Sequence, residues 1–224
     1  MSDGFYRLCR TVGWPVFRST SRPVVLGVEN IPSTPKPDGF AGKQPAFILA
    51  PTHESPYDIV ILIAHTPRLV DFVSIVEVFR NPIVAWFYGS LNAFPLDRSR
   101  PDSGAVRTIL SRLAAGRVIC MFPEGRLRSG LDSVVHSRKI KPGIGRIAAL
   151  SGTPIVPCVI INSGTYRKPQ SWLPFFRTRY GVIYGKPIAA DNHGDKVEEV
   201  LVESMVKLHA QLKAAMDTRA GRTC

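Results

Sequence analysis

From Ala46 onward the chain alternates short β-branched runs with helix-length stretches, and this alternation limits the fold more than any other feature. Strands are predicted at Ala46–Ala50, Val70–Val73, Ala93–Leu96, Val118–Phe122, Ile155–Ile161 and Arg179–Tyr184. Helices are predicted at Ile59–His65, Ile75–Tyr88, Asp102–Ala115, Gly143–Ser151 and Lys196–Met216. In the third helix Val106, Ile109, Leu110 and Leu113 form a core stripe, and Gly116 stands where a C-terminal capping glycine belongs. The last helix opens on Asp195 and Glu198 in capping-box spacing, with Val197, Val200, Leu201, Leu208 and Leu212 on or near one face. Strands that alternate with helices of this length imply an α/β domain with a central, mostly parallel or mixed sheet flanked by helices. Sites in such a sheet gather at the carboxyl ends of strands.

Ahead of this pattern, a helix is predicted from Asp3 to Trp14, ending at Pro15. Phe5, Leu8, Cys9 and Val12 form its apolar stripe, while Arg7 and Arg10 point elsewhere. The pattern suits a helix in a membrane interface and equally one packed on a domain. Residues 1–22 are therefore set apart as an amphipathic N-terminal segment, and residues 23–224 as the main domain. A short strand, Val24–Gly27, leads to a Pro/Gly/Lys-rich loop from Ile31 to Pro45. At 224 residues, 45% of them hydrophobic and 21% charged, the chain can bury a core without disulfides or a structural metal. Cys9, Cys120, Cys158 and Cys224 are scattered and read as reduced thiols in a cytoplasmic setting. No apolar run nears the ~18 residues of a membrane span, and the first residues lack a signal-peptide core. The expectation is a chain neither secreted nor spanning, held peripherally on the inner face of the cell membrane.

The net charge of +12 is concentrated. Residues 97–146 carry eleven Lys/Arg against four Asp/Glu, and residues 167–186 carry five basic residues and no acid. Such a field attracts an anionic partner: nucleic acid, a membrane, a phosphorylated small molecule or an acidic carrier protein. Charge alone does not choose among them.

Three segments bring chemistry. In Pro51-Thr-His53-Glu-Ser-Pro-Tyr-Asp58, a histidine follows a predicted strand and an aspartate follows five residues later. Within one helix these would lie about 140° apart. With His53 in the turn and Pro56 opening the helix, Asp58 can reach back and fix the imidazole tautomer, leaving the other nitrogen as a general base. Alone, such a pair more often marks a capping or core histidine. A second segment, Phe94-Pro-Leu-Asp-Arg98-Ser99, delivers an arginine and a hydroxyl after a short strand. In the third, Phe122-Pro-Glu124-Gly125-Arg126-Leu-Arg128, a buried strand ends in a turn with a carboxylate, a glycine and two arginines suited to phosphate. Pro157 interrupts a further apolar strand, Ile155–Ile161.

In this order the blocks resemble the glycerolipid acyltransferases of the lysophosphatidate acyltransferase type, over about residues 24–190. The resemblance rests on His53 to Asp58, Phe94 to Arg98, Phe122 to Gly125, and Ile155 to Pro157. It implies that His53 deprotonates an acceptor hydroxyl, oriented by Asp58, and that the hydroxyl attacks an acyl thioester. It further implies that Arg98, Glu124 and Gly125 bind the acceptor's phosphate and glycerol, and that Pro157 shapes the cleft. No metal and no cofactor are implied; acyl-CoA or acyl carrier protein is the co-substrate, and a lysophospholipid the acceptor. The commonest third block has Thr-Arg-Ser after its glycine, whereas this chain has Arg126, Leu127 and Arg128. Arg-Leu resembles the branch acting on lysophosphatidylethanolamine, so Arg126 or Arg128 is expected to take the anion-binding role.

The apolar stretch Ile75–Phe87 is expected to form core or to line an acyl tunnel. Trp172, Leu173, Phe175 and Phe176, flanked by Arg167, Lys168, Arg177 and Arg179, read either as a second membrane contact or as a buried loop. Other acceptors, such as lysophosphatidylethanolamine, an ornithine lipid or a glycolipid precursor, remain rivals within the enzyme class. A basic nucleic-acid- or lipid-binding module without catalysis is the rival outside it. No recognition fold for nucleic acid is apparent, and none is expected as a partner. Gly143-Ile-Gly145-Arg-Ile-Ala148 follows Lys-Pro rather than a strand and is set aside as a dinucleotide loop. His65, His136, His193 and His209 lack metal-ligand spacing.

Overall fold

The computed structural model describes residues 3–32, 44–99, 102–173, 177–190 and 194–221. The sequence features at 33–43, Phe175, Phe176, His193, the Asp195 side chain and Cys224 lie outside the described residues. Seven strands form one mixed sheet in the order β1-β7-β6-β2-β5-β3-β4. They are β1 (Ser21–Leu26), β2 (Phe47–Pro51), β3 (Val70–Ile75), β4 (Phe94–Leu96), β5 (Val118–Cys120), β6 (Ile155–Ile161) and β7 (Thr178–Tyr184). Neighbours pair in parallel except β6 and β7, which are antiparallel. The expected α/β architecture is the one observed.

The central strand β2 is buried at every position, which its unbroken Phe-Ile-Leu-Ala-Pro run anticipates for a strand covered on both faces. One face packs on α1 (Asp3–Ser19) and α2 (Asp58–His65) through Tyr6, Phe17, Ile61 and Leu62. The other packs on α4 (Ser103–Ala114), α6 (Ile144–Ser151) and α7 (Val197–Gly221) through Ile109, Leu113, Ile147, Leu201 and Leu212. Asp102 caps α4 by accepting from the Ala105 N–H at 2.9 Å, and Gly116 takes a left-handed φ of 78° just beyond it.

Three predicted helices differ from what is observed, the last of them only in running past Met216 to Gly221. The first does not stop at Pro15 but continues to Ser19, because Phe17 is buried against Tyr166 and Tyr180 and carries the helix past the missing N–H. Tyr6 and Phe17 form its inner face, while Leu8 and Val12, from the predicted stripe, are 58% and 62% exposed. The stretch predicted as one helix over 75–88 is divided. β3 runs to Ile75, a 3₁₀ turn covers Val76–Phe79, and α3 (Pro82–Ser90) starts anew. Asn81 forces the restart: its Oδ1 accepts from the Ile83 and Val84 N–H groups, and Pro82 occupies the first helical position. A one-turn helix, α5 (Val134–Ser137), was not anticipated.

Candidate active site

The parallel strands β2, β3, β4 and β5 all end at one edge of the sheet, and the three chemistry-bearing segments leave from there. His53 sits in the turn after β2, and Asp58 is the first residue of α2. The Asp58 Oδ2 accepts from the Ser55 backbone N–H at 2.9 Å and lies 3.0 Å from the His53 Nδ1. The helix start thus provides the reach-back that continuous helix would forbid. As a carboxylate, Asp58 can only accept, so the proton sits on Nδ1 and the lone pair on Nε2. Phe122 stacks on the ring at 3.8 Å between centroids and 22° between planes, fixing the imidazole's second angle. Nε2 has no protein partner among the described residues, and the ring lines a cleft of about 530 Å³.

The loop after β5 clasps the His53 peptide from both sides. The Glu124 Oε2 accepts from the His53 N–H at 2.9 Å, and the Arg128 N–H donates to the His53 carbonyl at 2.7 Å. The other Glu124 oxygen accepts from the Val134 N–H at 2.6 Å, at the start of α5. Glu124 is fully buried, and burial pushes its carboxyl up to about 7 although both N–H donors pull it down. Gly125 turns the chain with φ 67°; a Cβ there would be strained and would stand 2.8 Å from the Lys141 Cγ.

The structure brings together His53, Arg98, Gly125 and Arg126, which all line the cleft. Arg98 and Arg126 are exposed, and no carboxylate among the described residues lies within ion-pair distance of either. The loop holding Arg98 is pinned by Asp102, whose Oδ2 accepts from the Asp97 N–H at 3.0 Å.

Two residues expected to bind the acceptor, and one expected to shape the cleft, stand elsewhere. Glu124 spends both oxygens on backbone amides and does not reach the cleft. Arg128 faces a separate small cavity of about 120 Å³ beside Glu54 and His136, where the loop turns away after Leu127. Leu127 takes the cleft side instead. Pro157 lies inside β6 beside Ala50, and its ring packs under Gly185 rather than in the cleft, on the sheet face that α7 covers.

The cleft walls are apolar, with Ile59, Phe72, Tyr88, Leu91, Leu96 and Leu127 among them. Of the stretch expected to form core or to line an acyl tunnel, Ile75 and Val78 line the cleft, whereas Ile83, Trp86 and Phe87 face outward. Trp172 donates to the Tyr166 carbonyl at 3.0 Å and packs against Tyr57, while Trp172 and Leu173 stay partly open to solvent. A wider groove of about 1070 Å³ lies at the opposite edge of the sheet, lined by Arg7, Arg10, Arg68 and Arg117. It is remote from His53, and its Arg117 is engaged by Asp71. Among the described residues no cluster of three or more His, Cys, Asp or Glu side chains is arranged to hold a metal.

Comparison with known proteins gives concordant matches. The family model described as Acyltransferase matches residues 22–161. A 1-acyl-sn-glycerol-3-phosphate acyltransferase of Bacillus subtilis is 26% identical over 144 residues, covering 63% of this chain and 66% of that protein. One from Streptococcus pneumoniae is 28% identical over 154 residues, covering 67% of this chain and 53% of that protein. The chain thus spans between about half and two thirds of these curated relatives. The crystal structure of the 1-acyl-sn-glycerophosphate (LPA) acyltransferase PlsC from Thermotoga maritima shares the fold. Its TM-score is 0.69 at 22% identity, over 93% of this chain and 80% of that one.

Proposed function

Because this chain belongs to the acyltransferase family, we propose that it moves a fatty acyl group from a thioester, acyl-CoA or acyl carrier protein, to the free hydroxyl of lysophosphatidate. The observation that carries the reading is His53, bonded through Nδ1 to Asp58 at 3.0 Å, in an apolar cleft shared with Arg98 and Arg126. Nε2 removes the acceptor's hydroxyl proton as its oxygen attacks the thioester carbonyl. As the tetrahedral intermediate collapses, the imidazolium returns that proton to the departing thiolate. Asp58 stabilises the imidazolium and holds the ring upright. Arg98 and Arg126, unpaired with any described carboxylate, bind the acceptor's phosphate through charge-assisted hydrogen bonds. The apolar walls take the acyl chain. Glu124 and Arg128 act through the backbone, holding the His53 peptide rather than touching lipid.

Acceptor choice is the finer part of the proposal, and the names of the relatives favour lysophosphatidate. With Leu127 in the cleft where the family's third block usually carries its arginine, lysophosphatidylethanolamine belongs in any acceptor panel. The chain works as a peripheral protein on an anionic bilayer, at its cytoplasmic face. Among the described residues no helix is long and apolar enough to cross a membrane. α1 offers Leu8 and Val12 outward with Arg7 beside them.

Purified protein given acyl-CoA and lysophosphatidate releases free thiol. His53→Ala lowers kcat at least about 10²-fold without loss of folded protein by circular dichroism. A variant of unchanged rate excludes His53 as the base.

A further inference from the structure

α3 carries no charged residue, and its outward side is apolar: Ile83 is 75% exposed, Trp86 63% and Phe87 44%. Phe5 of α1 meets this side, 5.5 Å from the Trp86 ring and 6.5 Å from the Phe87 ring, and Leu8 extends the surface along α1. Ile83, Trp86, Phe87 and Leu8 are therefore presented to water on two helices joined by the half-buried Phe5, an apolar surface rarely tolerated without a partner. The same segment reaches the candidate active site from within, since Tyr88 and Val78 line the cleft that holds His53.

We propose that Ile83, Trp86 and Phe87 of α3, with Leu8 of α1 beyond the half-buried Phe5, form the surface that seats on a lipid leaflet and holds the cleft mouth against it. The proposal rests on the acyl-transfer reading for its direction, since a lipid acceptor leaving the leaflet would pass α3 to reach His53. Three observations select a lipid leaflet over a protein partner. The patch has no charged or hydrogen-bonding pattern to specify a protein surface, and a Trp at its middle suits the boundary between headgroup and hydrocarbon. The exposed Arg80, two residues ahead of α3, places a cation at the edge of the patch where anionic headgroups would lie. The net charge of +12 gives the whole molecule the matching sign.

The test compares wild-type protein with the Ile83→Ser/Trp86→Ser double variant in two assays. The first is co-sedimentation with vesicles of phosphatidylcholine mixed with phosphatidylglycerol. The second is thiol release from hexanoyl-CoA with a short-chain, water-soluble lysophosphatidate. The double variant is expected to lose about tenfold or more in vesicle partitioning, while its turnover of soluble substrates stays within about twofold of wild type. In addition, Trp86→Phe is expected to keep vesicle binding but lose most of the fluorescence blue shift that vesicles induce. Unchanged partitioning of the double variant overturns the proposal, as does wild-type protein that ignores vesicles. Normal vesicle binding combined with loss of turnover from acyl carrier protein alone would assign the patch to that protein and likewise overturn the leaflet. Equal loss in both assays would make the patch part of the cleft itself, against the proposal. Vesicle binding that depends on α3 in a protein moving no acyl group would sustain the docking surface and remove the acyl-transfer reading.

Discussion

His53 is held at four points: its Nδ1 by Asp58, its ring face by Phe122, its N–H by Glu124 and its carbonyl by the Arg128 N–H. Only the first was legible in the sequence, as a spacing. The role of Glu124 was misplaced there because its motif names a carboxylate near a substrate anion but not the direction in which the loop turns it. In Glu124→Gln the amide nitrogen replaces one acceptor and faces a backbone donor, so one of two clasps is lost. A 1 Å displacement of a catalytic group can cost about 10²-fold. The expected outcome is a kcat lowered about tenfold or more with KM for the acceptor unchanged. A raised KM at constant kcat would instead put Glu124 against the acceptor.

At the scale of elements, α1 is fastened by contacts that its own amphipathic pattern does not announce. Trp14 meets His65 edge-on at 5.0 Å, and the His65 Nε2 lies 2.6 Å from the Tyr180 hydroxyl. Burial pushes the His65 imidazole down from 6.5 to about 4. The unfolded chain therefore binds a proton between these values that the folded chain does not, so stability rises with pH across this window and is lost as pH falls through it. The loss at pH 4 is about 2–3 kcal/mol from this group. Urea denaturation from pH 7 to pH 4 should show that slope, and His65→Gln, which retains a hydrogen-bonding side chain, should flatten it. A slope that survives the substitution would place the acid sensitivity elsewhere. The division of 75–88 into strand, turn and α3 has the same origin as the extension of α1. A local signal, the Asn81-Pro82 start or the Pro15 stop, is weighed against what the neighbouring side chains bury.

Across the whole molecule, the concentrated basic field has two different fates. Arg112 and Arg117 turn inward onto the fully buried Asp71, with Arg117 also reaching Asp3 at the start of α1 and Arg112 lying 4.2 Å over the Phe94 ring. The Asp71 and Asp3 carboxylates hold the Arg117 guanidinium well above its ordinary range. Arg98 and Arg126 remain exposed at the cleft. Removing the buried partner leaves Arg112 without its carboxylate and Arg117 with only the half-exposed Asp3, so Asp71→Ala should lower unfolding free energy by about 3–5 kcal/mol. Asp3→Ala, at a half-exposed pair, should cost less than about 1 kcal/mol. Chemical denaturation of both variants checks the ratio, and equal effects would refute the distinction.

The sequence by itself determined the α/β class, most strand positions, the His53–Asp58 pair and the family. These depend on residue spacing and on periodicities of two and 3.6, which are local properties of a chain. Tertiary structure alone decided which arginine faces the cleft, which carboxylate holds backbone, and which side of α3 meets solvent. Each of those outcomes is set by the direction of a loop, or by the neighbours on the far side of a helix, and such neighbours come from residues tens of positions away. Leu127 in the cleft and Arg128 outside it differ by one step along the chain and by the whole thickness of that loop.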